Sequence, residues 1–489
     1  MQDTKSCGPF SCKASSYYTL LLVLINVILF ADQNLLAPVL TPVAIEFGFV
    51  ETYANGSVIM ECVKNDTDFC VEPYKEIAKV DSTKRDEFLG SYITLAFFMI
   101  GGICSLGVGY LTDSVNRRNT LAVVVVLGET SCLATYFTTT YEGLFVCRAL
   151  TGVAIGGAIP LMFSMFADLF DESNRGKAVA AAGVAMGVGA GMGQVLAGPV
   201  AGEDGSNWRM SFVIVAVPAY FLVALLLLTV PEPARGTMEK STMGTGANYS
   251  EKISWAKFKA LFKVRTIVLV FLQGIPGSLP WGVMLGFFND FLIVEKNVSR
   301  SLSGLVVLSF GLGATLGQII GGYAADKLRD RKKWIPIMMG STTICGAFPI
   351  WALINMDPQS VGTYMMFSLP SGLIIGITGA AVKVILMNVT LPEVRGSAFA
   401  VFNLFDDIGK GGGVFAVGMI IKLADDRTTG LNYALIGWIV CGLVHFFMYF
   451  SIEEDYENCQ KRLKMALDGT SNPSFQVAPA GPDDFKQEV

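Results

Sequence analysis

GYLTDSVNRR, residues 109–118, interrupts an otherwise apolar stretch of chain. Before it runs SYITLAFFMIGGICSLGV (91–108) and after it TLAVVVVLG (120–128), yet these ten residues carry Asp113, Arg117 and Arg118. About 20 apolar residues make a helix long enough to cross the hydrocarbon core, so so short a charged break reads as a tight loop between two membrane-crossing helices. Composition agrees: of 489 residues, 52% are hydrophobic and 16% charged, against roughly a quarter charged in soluble domains. The net charge of −5 is small and the basic clusters sit in short loops, which argues against a nucleic-acid partner.

Working outward, twelve such apolar runs appear, the first at 17–40 and the last at 432–451. The first carries Asp32 and Pro38 and lacks a small-residue cleavage site, so it is not read as a cleaved signal peptide. Lys and Arg crowd the loops at 112–119, 171–177, 232–265 and 326–333, which places those loops and both termini in the cytosol. The expected organisation is a cytosolic N-terminus (1–16), a six-helix half (17–234) with a long outer loop at 41–87, a cytosolic linker (235–265), a second six-helix half (266–452) and a polar tail (453–489) expected to be disordered. Within the linker, Trp255, Phe258 and Phe262 recur between lysines at helical spacing, as in an amphipathic helix lying on the inner leaflet. The outer loop offers glycosylation sequons at Asn55 and Asn65 and a disulfide between Cys62 and Cys70.

Of ten cysteines, Cys104, Cys132, Cys147, Cys345 and Cys441 lie in apolar runs, and the single histidine, His445, does too. Neither a CxxC pair nor a Walker-type phosphate loop is present. No metal, cofactor, ATP coupling or enzymatic chemistry is therefore expected.

The opening stretch has an echo. GGYAADKLRDRKK (321–333) places Asp326 four residues beyond Gly322, and Asp113 stands four beyond Gly109; basic residues, Arg331 among them, follow. FDESNRGKAVA (170–180) and TLPEVRGSAFA (390–400) align Arg175-Gly176 with Arg395-Gly396. The offsets are 326 − 113 = 213 and 395 − 175 = 220, nearly equal and in the same order, so the chain reads as a duplicated six-helix unit.

GYLTDSVNRR matches the loop signature G-x-L-[AT]-D-x-x-x-R-[RK] of the major facilitator superfamily through Gly109, Leu111, Asp113, Arg117 and Arg118. The resemblance implies an all-α membrane protein of twelve transmembrane helices in two six-helix halves. RALTGVAIGGAIP (148–160), FADLFDESNRGKA (166–178) and NWRMSF (207–212) further resemble the spinster-like lipid transporters. By that likeness Gly109, Asp113, Arg117 and Arg118, with Asp326 and Arg331 of the second loop, form an inner gate in which an aspartate meets an arginine of the other half.

Charges inside apolar runs are costly and need a partner or a water-filled cavity. Asp32 and Arg148 are candidates for substrate binding or proton coupling and for pairing with each other. The spinster-like pattern puts an arginine where Gln33 stands and a glutamate at Ile155; the missing carboxylate at Ile155 weakens coupling by analogy. Lys383 reads as mid-helix, with Asp290, Asp406 and Asp407 as candidate partners, and Glu129 as a neutral, hydrogen-bonded carboxyl. The expected function is alternating-access transport of a lysophospholipid or sphingoid phosphate by a monomer, with protons a further partner. Arg148 or Lys383 would meet the phosphate. The same fold could instead carry a small organic anion or sugar phosphate, or act as a receptor without flux. The sequons suit the plasma membrane or an endolysosomal membrane.

Overall fold

The break at 109–118 is tighter than its charge suggests. Gly109–Ser114 continue helix α3 (Ile93–Ser114), and only Val115 and Asn116 leave helical geometry before α4 (Arg117–Ala134) begins. Asn116 makes that restart: its side-chain oxygen accepts from the Asn119 backbone N–H at 2.9 Å, supplying an acceptor to the first turn of α4. The computed structural model describes residues 12–52, 60–62, 76–81, 84–170, 175–202, 205–232, 255–298, 300–424 and 426–467.

The first half also contains α1 (Cys12–Gln33), a short α2 (Leu40–Glu46), α5 (Tyr141–Leu169), α6 (Arg175–Ala201) and α7 (Met210–Thr229). A seven-residue helix α8 (Trp255–Leu261) precedes the second half. That half comprises α9 (Arg265–Gly286), a short α10 (Phe288–Val294), α11 (Arg300–Lys327), α12 (Trp334–Asn355), α13 (Val361–Val389), α14 (Arg395–Ala424) and α15 (Arg427–Met448), followed by α16 (Ile452–Leu467). Among the described residues, 11 helical segments are long and apolar enough to cross a membrane. The twelfth spanning helix is α14, 30 residues long and set apart by Arg395, Asp406, Asp407, Lys410 and Lys422.

The halves meet along α3 with α14 and α6 with α11. Small residues bring the backbones close: a Cβ added to Gly102 would lie 3.0 Å from Leu404 Cδ1 and 3.3 Å from Asp407 Cβ. Below, the face carrying the α3–α4 loop and the cations after α11 is the basic face, and the opposite one the ribbon face.

Four features depart from the sequence reading. The first apolar run is not one helix: α1 ends at Gln33 and a 3-10 turn (Ala37–Val39) leads into α2. The carbonyl of Asp32 is taken by Leu35 N–H at 3.2 Å and by Arg148, so it does not serve the next helical turn. The seventh run also divides, at Phe287, which moves Asp290 onto α10; its side chain lies outside the described residues. The outer loop contributes an antiparallel ribbon, β1 (Met60–Cys62) with β2 (Glu76–Ala78). Asn55, Asn65, Cys70 and the Cys62 side chain fall outside the described residues.

Finally, the tail expected to be disordered is helical through Leu467. Glu453, Glu454 and Asp455 in its first turn complement the helix dipole, and Ile452, Cys459 and Leu463 are buried along one side. Asp455 accepts from the Thr266 backbone N–H at 2.8 Å, and Glu453 pairs with Lys333 at 2.8 Å. The Lys333 ammonium holds the Glu453 carboxyl below the usual carboxylate range.

Candidate functional site

Helices α1, α4 and α5 build a charged cluster in the ribbon-side part of the first half. Asp32 comes from the last turn of α1 and Arg148 from seven residues into α5; both are buried. Arg148 Nη1 donates to Asp32 Oδ1 at 2.7 Å and Nη2 to the Asp32 carbonyl at 3.1 Å. The guanidinium lies between the rings of Phe97 and Phe212, 5.7 and 5.1 Å from their centroids. Cys132 Sγ donates to the same Asp32 oxygen at 3.0 Å. The expected Asp32–Arg148 pair therefore exists and is closed on itself. Glu129 corrects its expectation: it is fully buried, yet among the described residues neither carboxyl oxygen has a hydrogen-bond partner.

In the second half, Asp406 and Asp407 sit in the middle third of α14 and face Lys410, not Lys383. Lys410 Nζ lies 3.6 Å from Asp406 and 3.7 Å from Asp407, and Asn403 Nδ2 donates to Asp407 at 2.8 Å. Lys410 also crosses the seam, 5.5 Å from the Phe98 ring centroid, while Arg148 lies over the neighbouring Phe97. A cavity lined by Gln33, Asn34, Phe97, Phe98, Arg148 and Gly282 opens at this level.

Lys383 stands elsewhere. It is six residues from the end of α13, near the basic face, and its nitrogen lies 5.0 Å from the ring centroid of Phe163 on α5. Among the described residues no carboxylate forms an ion pair with it, Asp406 and Asp407 pairing with Lys410 instead; the Asp290 side chain lies outside them. Phe163 and Arg148 share α5, and 163 − 148 = 15 residues at 1.5 Å each separate them by about 22 Å. One head group cannot meet Arg148 and Lys383 together in this conformation.

At the basic face the two repeated signatures touch. A Cβ on Gly109 would overlap Ala400 Cβ and lie 3.0 Å from the carbonyl of Gly396, the glycine of the second echo. One turn away, Ser105 Oγ donates to the Ala400 carbonyl at 2.9 Å. The arginines of the signature have partners in their own half. Arg117 is buried and pairs with Asp168 at 2.6 Å and Glu232 at 2.9 Å. Arg118 donates from its backbone to Glu232 at 2.9 Å and from Nη1 to the Val230 carbonyl at 2.6 Å. These bonds tie the basic-side ends of α4, α5 and α7 into one body. Arg331 is exposed in a 3-10 turn, and Asp326 lines a cavity with Arg329, Lys332 and Asn388. The Asp113 side chain lies outside the described residues.

A family model described as Major Facilitator Superfamily matches residues 22–414 and 278–467. The chain belongs to the Major Facilitator Superfamily. Superfamily members are secondary transporters whose two halves rock around a site between them. Among its relatives, Protein spinster homolog 3 of Homo sapiens is 27% identical over 340 residues, 65% of this chain and 65% of that protein. Sphingosine-1-phosphate transporter SPNS2 of Danio rerio is 25% identical over 342 residues, 65% of this chain and 66% of that protein. The matched region is thus just under two thirds of these relatives' length. A bacterial homologue of the human lysosomal transporter Spinster, solved inward-facing and unoccupied, aligns with a TM-score of 0.63 at 16% identity, covering 91% of this chain and 99% of that one. At that identity the likeness shows the fold alone.

Within this superfamily architecture, sequence reading missed three groups. Lys410 looked like part of a polar GKGGG stretch, although it stands three and four residues after two aspartates on one helix. Asp168 and Glu232 each close a run of apolar residues beside the basic face, a position that signals a counter-ion for a neighbouring arginine loop.

Proposed function

We propose that this chain is an alternating-access transporter of an amphiphilic lipid with an anionic head group, such as a lysophospholipid or a sphingoid phosphate. The observation that carries this reading is Lys383, a cation at the seam with an aromatic ring of the other half against it and no carboxylate partner among the described residues. An unpaired ammonium at membrane depth is costly, and a phosphate supplied by cargo would offset that cost. Phe163 and the apolar walls around it suit the tail. Arg148 is already engaged by Asp32, so Lys383 is assigned to the head group. The name of the Danio rerio relative, a sphingosine-1-phosphate transporter, supports the cargo class. By the positive-inside rule the basic face is cytosolic, and both termini lie there. Gly109, Asp113 and the first basic loop close this face when cargo enters from the other, and a proton gradient drives the cycle.

The test is uptake by the purified full chain in proteoliposomes, with labelled lysophospholipid and sphingoid phosphate offered beside small soluble anions. Saturable lipid uptake that Lys383→Met reduces at least tenfold is expected. Soluble-anion flux without lipid flux would replace the lipid by a small organic anion or sugar phosphate. Lipid binding without flux would make the protein a receptor.

A further inference from the structure

The cluster around Asp32 contains more carboxylates than its cation can neutralise. Asp32 and Glu129 are both fully buried, and Arg148 supplies a single positive charge. Ligand atoms of Asp32, Glu129 and Cys132 all lie within 4.8 Å of one another. Arg148 directs its Nη1 to Asp32 Oδ1, whereas both oxygens of Glu129 have no hydrogen-bond partner. Gly128, beside it, packs its backbone against Ala154 of α5, so α4 and α5 are in close contact at this level.

An isolated buried carboxylate costs several kcal/mol, and a neutral one far less. The charge count then settles the state of this site. Asp32 negative, Arg148 positive and Glu129 carrying one proton sum to zero. Removing the proton leaves two carboxylates to share one guanidinium and a net charge of −1. The groups facing Glu129 are few: Asp32 from α1, Arg148 from α5, and Cys132 on its own helix. From α3 comes the Phe97 ring, over the guanidinium. From α7 come the Phe212 ring and carbonyl, while the Tyr220 hydroxyl bonds Thr130 at 2.9 Å. A metal ion would have to share this space with the guanidinium already bound to Asp32; a proton needs no extra room.

We propose that Glu129 is the proton-carrying residue of the first half, bound to one proton when Arg148 pairs with Asp32 and competing for Arg148 once that proton has left. The proton moves between a Glu129 carboxyl oxygen and water; Arg148, the group Glu129 would compete for, lines the nearby cavity. No bond other than O–H forms or breaks, and Arg148 keeps its charge throughout. Neither the loop signature nor the spinster-like likeness assigns anything to Glu129. The inference rests on the transport reading for its consequence, though not for the protonation itself.

Two measurements on the full chain keep these apart. Infrared difference spectroscopy across a pH titration, without cargo, is expected to show a protonated-carboxyl C=O band in wild type that is absent in Glu129→Gln. Its persistence in that variant overturns the proposal whatever the cargo. In proteoliposomes, one proton per cargo supports up to about tenfold accumulation per unit of pH difference. Glu129→Gln is expected to bring accumulation to about onefold while keeping cargo exchange at equal pH, and Glu129→Asp is expected to restore accumulation. Wild-type accumulation in Glu129→Gln, or parallel loss of exchange and accumulation in a variant that melts normally, overturns it.

Discussion

Gly109→Ala adds one carbon where α3 meets α14, and the structure states what it strikes. The new Cβ would overlap Ala400 Cβ and lie 3.0 Å from the Gly396 carbonyl. Carbon pairs rest at about 3.5–4.0 Å, so the helices must part by about an ångström at this turn. The Ser105 to Ala400 hydrogen bond, 2.9 Å long and one turn away, would then stretch beyond bonding distance. Overpacking of this kind costs roughly 1–3 kcal/mol. On the proposed gate reading the cost falls on the state in which the basic face is closed, so the ratio of open to closed states should rise by roughly 5- to 150-fold. The assay is labelling of Ser397→Cys, beside the contact, by a membrane-impermeant maleimide in inside-out vesicles. Faster labelling and slower net uptake are expected for Gly109→Ala. Adding Ala400→Gly removes the struck carbon and should recover most of both. Unchanged labelling, or no recovery in the double variant, would refute the assignment of this contact to a gate.

Other consequences can be checked on the same preparation. Arg117→Gln leaves Asp168 and Glu232 without their shared cation beside α4; loss of one partner of a buried pair costs about 3–5 kcal/mol, so the melting temperature in detergent should fall by several degrees, and an unchanged value would contradict the tie. Glu453, held below the usual carboxylate range by Lys333, contributes stability above its unfolded value of about 4.3 and loses it as pH falls through the lower folded value. Amide protection factors in α16, the exchange rates corrected for their intrinsic pH dependence, should therefore be flat near neutrality, fall on acidification, and lose that acid step in Glu453→Gln. A Cys62–Cys70 bridge would protect both thiols from alkylation until reductant is added; alkylation without reductant would exclude it.

What the sequence revealed follows from which interactions are local. Run length, loop charge and the two paired signatures gave the twelve helices and the duplication, because membrane span and topology depend on contiguous residues. The stripe Ile452, Tyr456, Cys459 and Leu463 also lay in plain view, at the four-three-four spacing of a helix. Its polar surroundings hid it, since such a helix is stabilised by docking rather than by hydropathy. The break after Gln33 was not legible, because the carbonyl that fails to continue α1 is held by Arg148, 116 residues away. Glu129 could be located but not paired, since that depends on where the α5 guanidinium points. The partners of Lys383 were misjudged for the same reason: Lys410, one turn from both aspartates, is the nearer cation.

The two halves keep the same architecture but hold their charges differently, and that difference bears on where cargo binds. In the first half the ion pairs are short: 2.7 Å for Arg148 with Asp32, 2.6 Å for Arg117 with Asp168 and 2.6 Å for Arg209 with Glu46. Inside the spanning helices of the second half Lys410 lies 3.6–3.7 Å from its two aspartates and stays partly exposed, and Lys383 faces a ring; the short Lys333–Glu453 pair of 2.8 Å lies outside them, at the basic end. A head group displaces long, partly hydrated contacts at smaller cost than short buried ones, because it has less paired charge to separate. Cargo phosphate should therefore engage a lysine of the second half, Lys383 of α13 or Lys410 of α14, before either guanidinium. On this reading the first half, with its guanidiniums already paired, is left to hold the proton proposed for Glu129.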